Sequence, residues 1–143
     1  MATLGTTPPP AGGLPATTFF SKTSDEAHDL LVEARAYLEA TSDARLGRPV
    51  EDLAHSMETL RLTTRLTQIM AWLLVQRAVH AGEMTPAEAR QAPNRLGARG
   101  LCLDPGGETE ATLPAGLRAL LARSRKLYRR IARLDQMVAR DGA

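Results

Sequence analysis

The stretch LRLTTRLTQIMAWLLVQRAVHAGEMT, residues 60–85, decides the fold. At about 100° per residue with Leu60 at zero, its apolar side chains sweep from about 180° at Ile69, through Leu73, Leu66, Met70 and Leu74, to about 60° at Val75. A surface helix needs a stripe only somewhat wider than about 100°, so at least two neighbours must pack on this one. The polar arc left over is narrow. It holds Glu58, Arg61, Arg65, Gln68 and Gln76, and near its centre stands Trp72.

Working outward, the periodicity predicts a helix over about 50–82, ended by Gly82 ahead of Glu-Met-Thr-Pro. Upstream, TSDEAHDLLVEARAYLEAT (residues 23–41) carries an apolar stripe through Ala27, Leu30, Leu31, Ala34, Tyr37 and Leu38 and predicts a helix over about 24–41. Thr23 with Glu26 matches a capping box there. Downstream, a third helix is predicted over 114–140, with an aliphatic stripe on one side and Arg118, Arg123, Arg125, Lys126, Arg129, Arg130 and Arg133 on the other. The connector, 83–113, is rich in Gly and Pro. Thr85, Pro86 and Glu88 signal one short helix in it, and it is too long for a simple loop.

These elements define an all-α fold: an up-down-up three-helix bundle over residues 19–140, with a short extra helix in the connector. Pro8, Pro9, Pro10, Gly12, Gly13 and Pro15 make residues 1–18 a flexible, disordered arm by composition. Helix one is the shorter partner of helix two. Paired antiparallel through the Gly47 turn, it would end near the level of Thr67 and leave Ile69 to Val79 partly uncovered. Three candidates could cover that end: Leu14 with Phe19 and Phe20, the segment from Pro86 to Cys102, or a second copy of the chain in an isologous dimer. Leu66, Ile69 and Leu73 are the packing or dimer residues on this reading.

Composition bounds the function. The 143 residues make one domain able to bury its own core. A formal net charge of +2 gives only mild support for an anionic partner. Cys102 is the single cysteine, which excludes an intramolecular disulfide and suits a reducing cytoplasm. The N-terminus has no basic leader with an apolar core, and the apolar run from Ile69 to Val75 falls far short of the roughly 20 residues of a spanning helix. The expectation is a cytoplasmic protein without membrane contact.

No constellation for chemistry emerges. His28, His55 and His80 lack the paired spacing of a zinc site, and Cys102 in GLCLDPGG has no neighbouring base to make it a nucleophile. No catalytic residue, metal or cofactor is expected, so the reading is a non-enzymatic binding protein. Asp135 is odd, because it interrupts the apolar stripe of the third helix. An antiparallel helix pair would set it near residues 60–64, where Arg61 or the hydroxyls of Thr63 and Thr64 could satisfy it. Trp72 has two readings, core beneath the arm or connector, or anchor of a partner surface. In the second, Arg61, Arg65, Gln68, Trp72 and Gln76 form a partner-binding face of the kind hot spots favour. The basic side of helix three is a solvated face on one reading and a nucleic-acid surface on the alternative.

Three segments together resemble one family. SMETLRLTTRLTQIMAWLLVQRAVHAGEMTPAEA (56–89), FFSKTSDEAHDLLVEARAYL (19–38) and LRALLARSRKLYRRIARLDQMV (117–138) resemble the RcdA family of alphaproteobacteria, regulators of CtrA degradation. The resemblance implies a three-helix bundle, often a homodimer, without catalytic activity. It also implies an adaptor of the ClpXP protease that joins a CpdR-primed protease to cargo such as CtrA, in some cases through PopA with cyclic di-GMP.

Overall fold

The computed structural model describes residues 13–42 and 47–141, with side chains from residue 18 onward. Three long helices carry the fold: α1 (Gly13–Thr41), α2 (Pro49–His80) and α5 (Ala115–Arg140). Between the last two lie α3 (Pro86–Ala89), a 3-10 turn (Ala92–Asn94) and α4 (Arg99–Leu103). The fold is an all-helical bundle, as the periodicity implied.

Helix α1 starts eleven residues ahead of the predicted position 24. Pro15 lies in its first turn, where a missing N–H costs nothing. Thr23 is no cap but a buried mid-helix residue whose hydroxyl donates to the Phe19 carbonyl at 2.9 Å. Residues 13–18 of the expected arm are therefore helical, while residues 1–12 lie outside the described part. The added turns let α1 run the length of α2. Phe20 meets His80 with ring centroids 5.4 Å apart at the far end of the pair. The apolar end of α2 is thus partly covered by the chain itself, with Ile69 and Leu73 buried and Leu74 left exposed.

The third long helix runs opposite to the expected direction. Glu33 pairs with Arg123 and Glu26 with Arg130, so α1 and α5 are antiparallel. Arg65 of α2 bonds to Leu121 and Ser124, and Trp72 of α2 to Asp135, so α2 and α5 run parallel. Up-down-up is corrected to up-down-down. The physical reason is the connector, which must return the whole length of α2 before α5 can start. It descends the furrow between the two helices. Glu83 and Met84 bond to Ala78 O, Gly97 donates to Gln68 Oε1 at 2.9 Å, the Cys102 carbonyl meets Arg65, and Gly106 lies against Glu58 and Arg61. At Gly106 the backbone has φ +60, and a Cβ would stand 2.3 Å from Glu58 Oε2, so a side chain there would be strained and would push the Glu58 and Arg61 side chains aside. Thr85 caps α3 as its sequence signalled, accepting from the Glu88 N–H at 3.1 Å. Helix α4, unexpected from the sequence, buries Cys102.

The core joins Ala27, Leu30 and Ala34 of α1, Leu62, Leu66, Ile69 and Leu73 of α2, and the α5 stripe from Leu117 to Ile131. Leu66, Ile69 and Leu73 are thus packing residues inside one chain, not an interface between two.

Two buried charges hold the connector. Asp135 is 1% exposed. Arg95 grips both its oxygens at 2.9 Å, Arg99 adds a bond at 2.9 Å, and Trp72 Nε1 donates to it at 3.0 Å. Neither Arg61 nor the hydroxyls of Thr63 and Thr64 reach it. Those threonines donate to the Thr59 and Leu60 carbonyls of their own helix, because the parallel arrangement moves Asp135 to the level of Trp72. Burial alone would raise the Asp135 carboxyl, but the bonds from Arg95, the Leu96 N–H and Trp72 outweigh it and hold the group below the ordinary carboxylate range. Arg65 is fully buried and donates to the carbonyls of Cys102, Asp104 and Leu121 and to the Ser124 hydroxyl. Its guanidinium fork spans connector and α5 at once.

Two outcomes are expected. Asp135→Ala leaves Arg95, Arg99 and the Trp72 N–H facing one another without their acceptor. It should cost about 3 kcal/mol in chemical denaturation, the low end for a broken buried pair because both arginines keep access to water. A depressed folded pKa means that this stabilisation is present above about pH 4, the unfolded value, and is lost as pH falls below it. Asp135→Asn should therefore flatten the acid limb of a stability–pH curve, and an unchanged limb would exclude this role. Trp72→Ala should cost roughly 3–5 kcal/mol, whereas Trp72→Phe, which keeps most of the packing and loses the Nε1 bond, should cost about 1–3 kcal/mol.

Candidate interaction surface

The five residues expected to bind a partner are brought together, but indoors. Arg65, Trp72 and Gln76 are buried, Gln68 is half-buried, and Arg61 is largely covered while holding Glu58 and the Leu101 carbonyl. The polar arc of α2 that a simple bundle would leave in water is roofed by the connector. The expected partner face is corrected to an internal polar seam, in which Arg61, Arg65 and Gln68 bond the connector backbone and Trp72 bonds Asp135. Trp72 is core, the blander of its two readings. One signal was present in the sequence: RLGARGLCL, in which Leu96 and Cys102 are spaced to bury while Arg95 and Arg99 reach a carboxylate.

Little reactive chemistry is gathered. Among the described residues, no group of three or more metal-binding side chains converges. Cys102 is buried, and burial pushes its thiol up while Arg65 only partly offsets that, so the unreactive protonated form is favoured. Tyr128 donates to the Gly97 carbonyl at 2.6 Å, and burial holds its phenol above its ordinary value. Both groups are placed to pack.

The uncovered surface lies on the far side of α2. Val50, Leu53, Met57, Leu60 and Leu74 are all more than half exposed, from 56% at Met57 to 79% at Val50. Beside them, an open, mainly apolar groove runs between α1 and α2, lined by Leu31, Leu38, Met70 and Leu74. Exposed apolar side chains gathered on one helix face make this a candidate interaction surface. Periodicity showed α2 to be apolar nearly all round, but attributed the excess to its C-terminal half. The structure places most of it in the N-terminal half.

The outer face of α5 is basic. Arg123, Arg125 and Arg130 are paired with Glu33, Glu108 and Glu26. Lys126, Arg129, Arg133 and Arg140 stand exposed along the outward stripe. Among the described residues, no helix is long and apolar enough to cross a membrane.

Comparison with known proteins adds kinship. Residues 14–143 match the family model described as "Protein of unknown function (DUF1465)". No curated protein sequence matches the chain. Among solved structures, RcdA from Caulobacter crescentus is similar at 37% sequence identity, over 83% of this chain and 89% of that one, with a TM-score of 0.64. Identity at that level, carried across nearly the whole of both helical bundles, means that the chain belongs to the RcdA family.

Proposed function

We propose that the protein is a non-catalytic adaptor of regulated proteolysis. It acts in the cytoplasm as a homodimer and helps to deliver cell-cycle regulators such as CtrA to the ClpXP protease, in concert with a CpdR-like receiver protein and, where one exists, a PopA-like receptor of cyclic di-GMP. The observation that carries this reading is the 37% identity to RcdA over most of both chains. Two features of the chain support it. Its polar side chains with perturbed protonation are spent on internal packing, and its uncovered apolar surface is the elongated kind that receives protein. An adaptor needs surfaces and a rigid frame to display them, with no reacting atom. No specific observation favours the nucleic-acid alternative over a solvated basic face on α5.

The test is reconstitution. Added to ClpXP, a CpdR-like protein and CtrA, the purified chain should raise the rate of CtrA loss at least several-fold and should leave a ClpXP substrate that needs no adaptor unaffected. Affinity capture from the native cytoplasm should retain ClpX, the receiver protein or CtrA. Capture of nucleic acid alone, or tight sequence-selective DNA binding at physiological salt, would overturn the adaptor reading, because nonspecific phosphate contacts should weaken steeply with salt.

A further inference from the structure

Charge is sorted on the outward face of α5 in a way that the other long helices do not share. Positions 115, 119, 122, 126, 129, 133, 136 and 140 advance by alternating steps of four and three, and every one of them is exposed. They form a straight seam about 38 Å long. Its first three positions hold alanine, and the later ones include the cations Lys126, Arg129, Arg133 and Arg140. These cations fall within about 60° of one another around the helix, on the side opposite the buried Ser124 and Ile131, and span about 21 Å along it. Among the described residues no carboxylate pairs with any of them, and the sole carboxylate of α5 itself, Asp135, is buried.

A merely solvated face has no need of that arrangement. Cations at i+3 and i+4 repel, and a helix in water gains by interspersing carboxylates. The chain does so elsewhere: Arg35 pairs with Glu39 on α1, and Arg48 and Arg61 pair with Glu51 and Glu58 at α2. On α5 the carboxylates stand at the edges instead. Glu33 and Glu26 of α1 hold Arg123 and Arg130 along one edge, and Glu108 of the connector holds Arg125 along the other. Between them remains a cationic strip one helix wide, continued by alanines toward the start of α5. That shape discriminates among anions. A nucleic-acid duplex is broader than the strip and would press its phosphates on the flanking glutamates as well. A single strand would find no aromatic platform, since Tyr128 of α5 is buried. An α-helix is about 10–12 Å across, and carboxylates at its i, i+3 and i+7 positions would repeat the spacing of Lys126, Arg129 and Arg133. The alanines leave room for its backbone to come close. A second copy of this chain is a poor source, because outside existing ion pairs its most acidic helix, α1, offers only Asp25 and Asp29.

We propose that the outward seam of α5 docks an acidic helix of a protein partner, whose row of carboxylates lies over Lys126, Arg129, Arg133 and Arg140. Opposite charges steer the encounter, and they also fix its register, because a slide along the seam would leave carboxylates facing alanine. This surface is separate from the exposed face of α2 and independent of the adaptor and homodimer readings.

The purified full chain provides the first test. A labelled alanine-based helix bearing one row of glutamates should bind it at low ionic strength, and the same helix with glutamines should not. Arg129→Gln with Arg133→Gln, at exposed side chains, should keep the helical circular dichroism and weaken that binding about fivefold, as the loss of two exposed ion pairs would. Lys22→Gln with Arg77→Gln removes the same charge from exposed positions of α1 and α2 and should leave binding nearly unchanged. Equal losses in the two double variants would reduce the strip to net charge and overturn the proposal. So would tighter binding of duplex DNA through Arg129 and Arg133, or no binding of the glutamate helix. In cells, a photoreactive benzophenone side chain in place of Gln136, exposed between Arg133 and Arg140, should cross-link to a helical segment of another protein that is rich in aspartate and glutamate. Cross-linking to nucleic acid, to a second copy of this chain, to a segment without such an acidic row, or to nothing would overturn it.

Discussion

A carboxylate in the middle of an apolar stripe is the constraint on which the rest of this bundle depends. Asp135 cannot be left alone at 1% exposure, and the groups that satisfy it come from two directions. Trp72 reaches it from α2, and Arg95 and Arg99 reach it from the connector. One buried charge therefore ties together three segments far apart in sequence, and Arg65 repeats the device two turns away with the polarity reversed, a cation held by carbonyls. Replacing such a network by aliphatic residues could leave stability unchanged. What the charges add is register: the connector can dock at only one height, because only one height brings Arg95 to Asp135 and the Cys102 carbonyl to Arg65 together.

That register sets the direction of the third helix. A short turn after α2 would have produced an antiparallel α5, with Asp135 near residues 60–64 in the middle of α2. The chain instead returns along the furrow, its Gly and Pro bends interrupted by two short helices and a 3-10 turn. Ala98 is held at φ +57 to enter α4, a conformation that costs an alanine roughly 1 kcal/mol. The docked segment tolerates that local cost because its backbone is held by Gln68, Arg65 and Tyr128 on either side.

Helix positions were legible in the sequence because they depend on local periodicity. The bounds of α2 and α5 lie within two residues of those read from the apolar spacing and from Gly82 and Pro114. The start of α1 was not legible, since Thr23 followed by Glu26 looks like a cap whether or not the helix continues upstream. Nor was the direction of α5, which depends on contacts between residues 36 to 63 positions apart. The largest misreading concerned Arg65, Gln68 and Trp72. A helical wheel assigns polar residues to water by default. Arg65 and Gln68 instead meet backbone groups of the connector, and Trp72 meets the Asp135 carboxylate of α5, partners that have no signature in the hydropathy of α2 itself.

The same wheel, read against the structure, explains why so much of α2 is apolar. One arc faces α1 and α5, a second holds the polar side chains that receive the connector, and the third, from Val50 to Ala78, faces outward. Two arcs are accounted for within the chain. The third keeps its large residues exposed despite the cost of wetting them, while α1 and α5 present charged outer faces. A helix that needed to be covered only by its own bundle would carry lysine and glutamate there. The leucines retained there are the part of α2 that its own bundle does not account for, and the buried polar seam on another flank fixes how the rest of the helix is covered.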